Sequence, residues 1–290
     1  MTKIGGDPMN DALAGIVKNT IRASLQNQAP DDYTGDDGLL MCGKCHTPKQ
    51  MDQSIMGVVR RVGVVCQCQK VELQAEDAEA KRVRQRLNIH RMRREGLTDH
   101  GYYQCLFERD DRRYEKVSSA CRKYVDDWEK MRSQNIGLLF YGDVGTGKSF
   151  YACCIANALL DKGVSALVTS FPKILAKIQS SKFGDELPWT LDMIERCGLV
   201  VIDDLGVERC TEYAMEQIFN VIDARSRSGK PLIITTNLPP SAFKNPDLGH
   251  QRIYDRILEN SIKVKMVGES RRAESQAKKQ AEYAKKLGLE

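Results

Sequence analysis

The stretch Gly142-Asp143-Val144-Gly145-Thr146-Gly147-Lys148-Ser149 constrains this chain more than any other. It fits G-x-x-x-x-G-K-[ST], a loop that cradles phosphate groups, and its flanks are those the motif requires. Ile136 to Tyr141 enters it as a short apolar strand. Behind it, Ala152, Ile155, Ala156 and Leu159 recur at i, i+3, i+4 and i+7, the buried stripe of a helix. Strand, glycine-rich turn and helix N-terminus point to an α/β fold, a parallel sheet sandwiched by helices.

The residue types follow from the chemistry. Glycines let the backbone turn sharply, so that successive N–H groups face inward at phosphate. The helix N-terminus adds unpaired donors and partial positive charge. Lys148 is placed to reach the terminal phosphates, and the Ser149 hydroxyl suits Mg²⁺. The expected ligand is a nucleoside triphosphate with its magnesium ion.

A second signal lies about fifty residues on. Leu199-Val200-Val201-Ile202-Asp203-Asp204 is a buried strand ending in two acids, the Walker B arrangement. Asp203 is expected to hold Mg²⁺ beside the loop, and Asp204 to orient an attacking water. Pro231 to Thr236 forms a fourth strand, with Asn237 at its tip. Taken alone, Asn237 reads most simply as a turn residue before Leu-Pro-Pro.

Ten cysteines in 290 residues would suggest disulfides in a small secreted protein. Here no apolar leader follows the N-terminus and no apolar run approaches membrane-spanning length, so a cytoplasmic protein with reduced thiols and no membrane contact is expected. Four cysteines are grouped, Cys42-Gly-Lys-Cys45 and Cys66-Gln-Cys68. Two close pairs separated by twenty residues suit a tetrahedral, structural Zn²⁺ site. The second pair has one intervening residue instead of two, and His46 is an alternative ligand should that tight loop not chelate. Gly57 to Val65 is the expected ribbon strand leading into it.

With 41% hydrophobic and 29% charged residues, the chain has the composition of a globular protein. Its formal charge is only +5, yet Lys81 to Arg94 holds seven Lys/Arg and no acid. That run falls in a polar helix expected from Val71 to Gly96, and DNA, an acidic partner and plain solvation are all compatible with it. Leu13, Ile16, Val17, Thr20 and Ile21 mark an amphipathic helix near 10–26, placed to dock on a partner or on the zinc module. Further helices are expected near 115–132, from Pro172 onward and over 211–228, with a strand over 164–171. Ser180 to Thr190, with Lys182, Phe183 and Trp189, reads as a loop; basic and aromatic residues together can grip single-stranded DNA, but a loop with one lysine and two aromatics is more often simply packed. A small helical lid around 241–261 and a charged helical tail complete the chain.

The order of these elements resembles the AAA+ ATPases, and more narrowly the bacterial replicative helicase loaders of the DnaC type with their IstB-like relatives. The likeness covers roughly residues 100–272. Besides the loop and Val201-Ile202-Asp203-Asp204-Leu205-Gly206, it rests on Thr235-Thr236-Asn237-Leu238 and Arg252-Ile253-Tyr254-Asp255-Arg256-Ile257. The resemblance implies ATP hydrolysis, with Asn237 as sensor 1 and Arg256 as an arginine finger acting on a neighbouring subunit's nucleotide. Arg252 is one helical turn from that finger. Arg272, with Arg271 beside it, falls in the sensor 2 region.

It further implies loading of a replicative DNA helicase onto single-stranded DNA and self-association through the AAA+ domain. Many AAA+ proteins carry glutamate where this chain has Asp204, which leaves a nucleotide-gated adaptor with little turnover as an alternative. An IstB-like transposition helper is the other. The expected layout is an N-terminal helix and linker (1–40), a small zinc-ribbon-like module (41–70), a basic linker helix (71–100), the AAA+ domain (101–272) and the tail (273–290).

Overall fold

Five parallel strands form the sheet that carries the phosphate loop: β5 (Gly137–Gly142), β6 (Ala166–Thr169), β7 (Leu199–Leu205), β8 (Leu232–Thr236) and β9 (Ser261–Met266). Across the sheet they run β6-β7-β8-β5-β9. The computed structural model describes residues 28–55, 57–180, 186–206, 211–244, 246 and 248–289. The helix expected near 10–26 and the pair Lys182/Phe183 lie outside the described residues. By contact the chain divides into two compact units, residues 1–84 and 85–290, with the boundary inside helix α1 (Gln67–Gly96).

In the larger unit the central strands are apolar on both faces, as buried parallel strands must be. Alternate residues enter opposite layers. Leu138, Phe140 and Val201 join Tyr151, Ile155 and Leu159 of α4 (Lys148–Asp161), together with Tyr124 of α2 (Glu115–Asp126) and Trp128 of α3 (Trp128–Ser133). Leu139, Val200 and Ile202 meet the other layer, α5 (Phe171–Ser180), α6 (Glu186–Arg196), α7 (Glu212–Arg227) and α8 (Leu248–Glu259), through Ile174, Ile194, Ile218 and Ile253. Sandwiched this way, the central strands are covered on both faces and open at their ends.

Three expectations change. The helix near 115–132 is two helices, broken at Asp127. Residues 186–190 of the expected loop are the first turn of α6, where Pro188 is tolerated because first-turn amides have no helical acceptor. The region beyond the lid helix is not only helical: Ser261–Met266 pairs in parallel with β5 as a fifth strand at the sheet edge. Lys263 and Lys265 on this exposed edge disguise it, since only Met266 of its six residues is buried. The tail forms α9 (Arg271–Leu287), capped by the Ser270 hydroxyl.

The N-terminal unit is built on two short antiparallel pairs, β1 (Tyr33–Thr34) with β2 (Leu40–Met41), and β3 (Gln50–Ile55) with β4 (Val58–Gly63). Cys42 and Cys45 follow β2 directly. Cys66 and Cys68 are not in a free tight loop but at the start of α1, where the Lys70 amide donates to the Cys66 carbonyl at 2.9 Å. Among the described residues no helix is long and apolar enough to cross a membrane.

Candidate functional site: a nucleotide cleft and a four-thiol cluster

The phosphate loop needs its glycines. Gly142, Gly145 and Gly147 all have positive φ (131°, 81° and 103°). A side chain on Gly142 would collide with the Met266 carbonyl of β9, and one on Gly145 with the Ser270 hydroxyl. The loop is thus boxed in by the end of the edge strand and the start of α9. Asp143 is fixed by the Gly268 amide (3.2 Å), and the Thr146 hydroxyl donates to the Asp143 carbonyl (2.9 Å).

Lys148 opens α4 and is 6% exposed. Its ammonium donates to the carbonyls of Gly142 (3.0 Å) and Asp143 (2.6 Å), so it lies across the loop. Burial pushes its pKa down, which an incoming phosphate would reverse. Lys148, Ser149, Asp203, Asp204 and Asn237 line one cleft of about 450 Å³ with Arg271 and Arg272, a size ordinary for small-molecule sites.

Asp203 and Asp204 reach the cleft through an irregularity. The β7–β8 register shifts between Ile202 and Leu205, and Asp204 takes a left-handed backbone, φ 63°. Such conformations persist only where the surroundings enforce them. Here Thr235 enforces it: its hydroxyl donates to Asp203 Oδ1 at 2.6 Å and accepts from the Asp204 amide at 2.9 Å. Asn237 Nδ2 donates to Asp204 Oδ1 at 2.8 Å, so the residue at the strand tip holds the second acid. Burial, then the Asp203 charge, raises the Asp204 pKa.

Arg271 is held in place by Asp111 at 2.7 Å and stands over the Tyr114 ring at 5.5 Å. Arg272 is exposed, and its charge is felt at both Lys148 and Asp204. Arg256 does not line this cleft. It pairs with Asp223 at 3.3 Å and, with Arg252, borders a separate surface recess beside Phe219.

Sequence reasoning missed Thr235, Asp99, Tyr102 and Cys105 as cleft residues. A hydroxyl two residues before Asn237, on the same strand, was a legible signal for Thr235. Nothing local marks the other three.

In the N-terminal unit the sulfurs of Cys42, Cys45, Cys66 and Cys68 all lie within 4.8 Å of one another. Cys42–Cys68 is 3.5 Å and Cys66–Cys68 3.3 Å. Tetrahedral zinc with Zn–S near ~2.3 Å holds its sulfurs about 3.8 Å apart, so the donor set fits such an ion. The amides of Cys45 and Lys44 pull the Cys42 pKa down, and the Thr47 hydroxyl, then the Cys68 backbone, brings Cys45 to about 5. Cys68, facing Cys66 and Cys42, is pushed up to about 12. His46 is not part of the group: its Nδ1 faces the Tyr33 hydroxyl at 3.2 Å.

The model of the IstB-like ATP binding protein family matches residues 49–281. The chain belongs to this family. Among curated relatives, the replicative helicase loader DnaI of Bacillus subtilis is 26% identical over 147 residues, 47% of each chain. The replicative helicase loader DnaC of Escherichia coli is 30% identical over 149 residues, 50% of this chain and 59% of that one. An ATP-binding protein of insertion sequence IS1162 from Pseudomonas fluorescens is 28% identical over 159 residues, 46% and 67%.

The chain therefore spans about half the length of DnaI and three fifths of DnaC. Crystal structures of DnaI and of the DnaC helicase loader, both 21% identical, superpose with TM-scores of 0.49. They cover 61% and 58% of this chain and 95% and 99% of theirs.

Proposed function

We propose that this chain is an ATP-hydrolysing loader that places a replicative helicase on single-stranded DNA. The observation that carries the hydrolysis reading is the convergence of Lys148, Ser149, Asp203, Asp204 and Asn237 on one cleft. Ser149 and Asp203 would hold Mg²⁺, which supplies charge neutralisation between the terminal phosphates. Lys148 leaves its carbonyl acceptors for phosphate oxygen. Asp204, aimed by Asn237 and Thr235, takes hydrogen bonds from a water in line with the terminal phosphate. Arg272 adds positive charge at the mouth of the cleft. Arg256, on a different surface, completes the site of a neighbouring copy as its arginine finger, tying turnover to self-association. Cys42, Cys45, Cys66 and Cys68 would hold Zn²⁺ as a structural ion, four thiolates leaving no open position.

The loader reading draws on the likeness to DnaI and DnaC. Native mass spectrometry of the full chain with the host replicative helicase, with and without ATP, tests it. A complex that weakens when residues 1–70 are deleted is expected. No complex under any nucleotide condition would overturn it. The second reading, a transposition helper, draws on the family model and the IS1162 relative. Nucleotide-dependent assembly on duplex DNA without helicase binding would favour it.

A further inference from the structure

One wall of the cleft comes from a strap, residues 97–105, that the roles above leave unused. It is fastened at three places in the larger unit. Leu97 bridges Val168 of β6, and the Thr98 amide and hydroxyl both donate to the Val168 carbonyl (3.3 and 2.9 Å). Lys173 of α5 donates to the Thr98 carbonyl (3.1 Å) and to Asp99 (3.2 Å), and lies 5.5 Å from the centre of the Tyr102 ring. Asn157, on the phosphate-loop helix α4, donates to the carbonyls of Tyr102 (2.8 Å) and Cys105 (3.0 Å). A segment that only filled space would not need polar anchors on two helices and a strand.

The anchors present Tyr102 to the acid pair. Its hydroxyl donates to Asp203 Oδ2 at 3.4 Å, while Oδ1 of the same carboxylate receives Thr235 at 2.6 Å. A carboxylate oxygen accepts, so the phenol O–H is the donor of this bond. Both oxygens of Asp203 are therefore oriented by protein groups, one from β8 and one from the strap. Outer partners of a metal-binding carboxylate fix its rotation and hence its affinity for the ion.

We propose that Tyr102 is a positioning residue for the magnesium carboxylate Asp203, and that the strap holds it in register with the phosphate-loop helix. The proposal rests on reading the cleft as an Mg²⁺–ATP site. Tyr102→Phe removes the hydroxyl and keeps the ring. The test measures binding of a fluorescent ATP analogue to the full chain across a magnesium titration and in chelator, alongside thermal unfolding without nucleotide.

In Tyr102→Phe the magnesium concentration for half-maximal binding rises about tenfold, within the range for lost outer-shell partners. Affinity in chelator and the unfolding temperature stay at wild-type values. Asn157→Ala, which loosens the strap and spares the hydroxyl, shifts the magnesium dependence in the same direction by less. A Tyr102→Phe magnesium dependence equal to that of a wild type that binds Mg²⁺–ATP overturns the proposal alone. A wild type that binds no Mg²⁺–nucleotide overturns the reading of the cleft and the proposal with it.

Discussion

Thr235→Val is the most informative single change at this site. Valine preserves the volume and the β-branch, and position 235 is 1% exposed, so the substitution isolates the hydroxyl. Two interactions go with it: the 2.6 Å bond to Asp203 and the 2.9 Å bond from the Asp204 amide. A hydrogen bond to a charged group contributes about 1.5–3 kcal/mol, and an orphaned buried amide costs about 1–3 kcal/mol. Water in the open cleft recovers part of both, leaving a net loss of about 2–3 kcal/mol. If the acids act in the hydrolytic transition state, that loss appears in turnover as a fall of roughly 30- to 150-fold. The assay is phosphate release at saturating Mg²⁺–ATP, with Thr235→Ser as the control that restores the hydroxyl. Turnover of Thr235→Val within threefold of both wild type and Thr235→Ser would refute the claim that this hydroxyl sets the acid pair.

Three further outcomes follow from the same structure. Arg225 is 1% exposed and donates to four carbonyls, of Ile194, Cys197, Gly198 and Pro231, with burial lowering its pKa to about 10. Arg225→Met strands those carbonyls and lowers stability by about 3–5 kcal/mol, read from urea denaturation. Because the Asp204 pKa is raised above its ordinary 3.8 and only the ionised carboxylate can act as a base toward water, turnover falls as pH drops through that raised value. The acid limb of the rate profile therefore lies above the range of a free aspartate, and the limb is lost in Asp204→Asn. Elemental analysis finds one zinc per chain, and Cys66→Ser together with Cys68→Ser abolishes it and loosens the N-terminal unit, read as faster amide exchange over residues 28–66.

What was legible in the sequence was what the backbone forces locally. Three left-handed turns at Gly142, Gly145 and Gly147 admit almost no other residue, so the loop announces itself. The first four residues of β7, Leu199 to Ile202, are all buried and read as an unbroken apolar run. The rest depends on partners far along the chain. β9 is held by β5, more than a hundred residues earlier, and its lysines face outward at an edge, so its short pattern carries little signal. Tyr102 matters only because Asn157 and Lys173 fix the strap from other elements. The left-handed turn at Asp204 is set by a hydroxyl thirty-one residues on, and no local propensity in Ile-Asp-Asp-Leu foretells it.

The strand order explains how the cleft is laid out. β5, which delivers Lys148, and β7, which delivers Asp203, are separated by β8. Two inter-strand steps of about 4.8 Å put roughly 9.6 Å between them. The inserted strand sets the phosphate loop and the acid pair on either side of a gap. It also uses the gap: Thr235 within β8 and Asn237 just past its end, two residues apart and so on the same side of an extended chain, reach the two acids in turn. Binding charge on β5, metal and water chemistry on β7, and the residues that aim that chemistry on β8 thus follow from one topological fact, the placing of β8 between the other two.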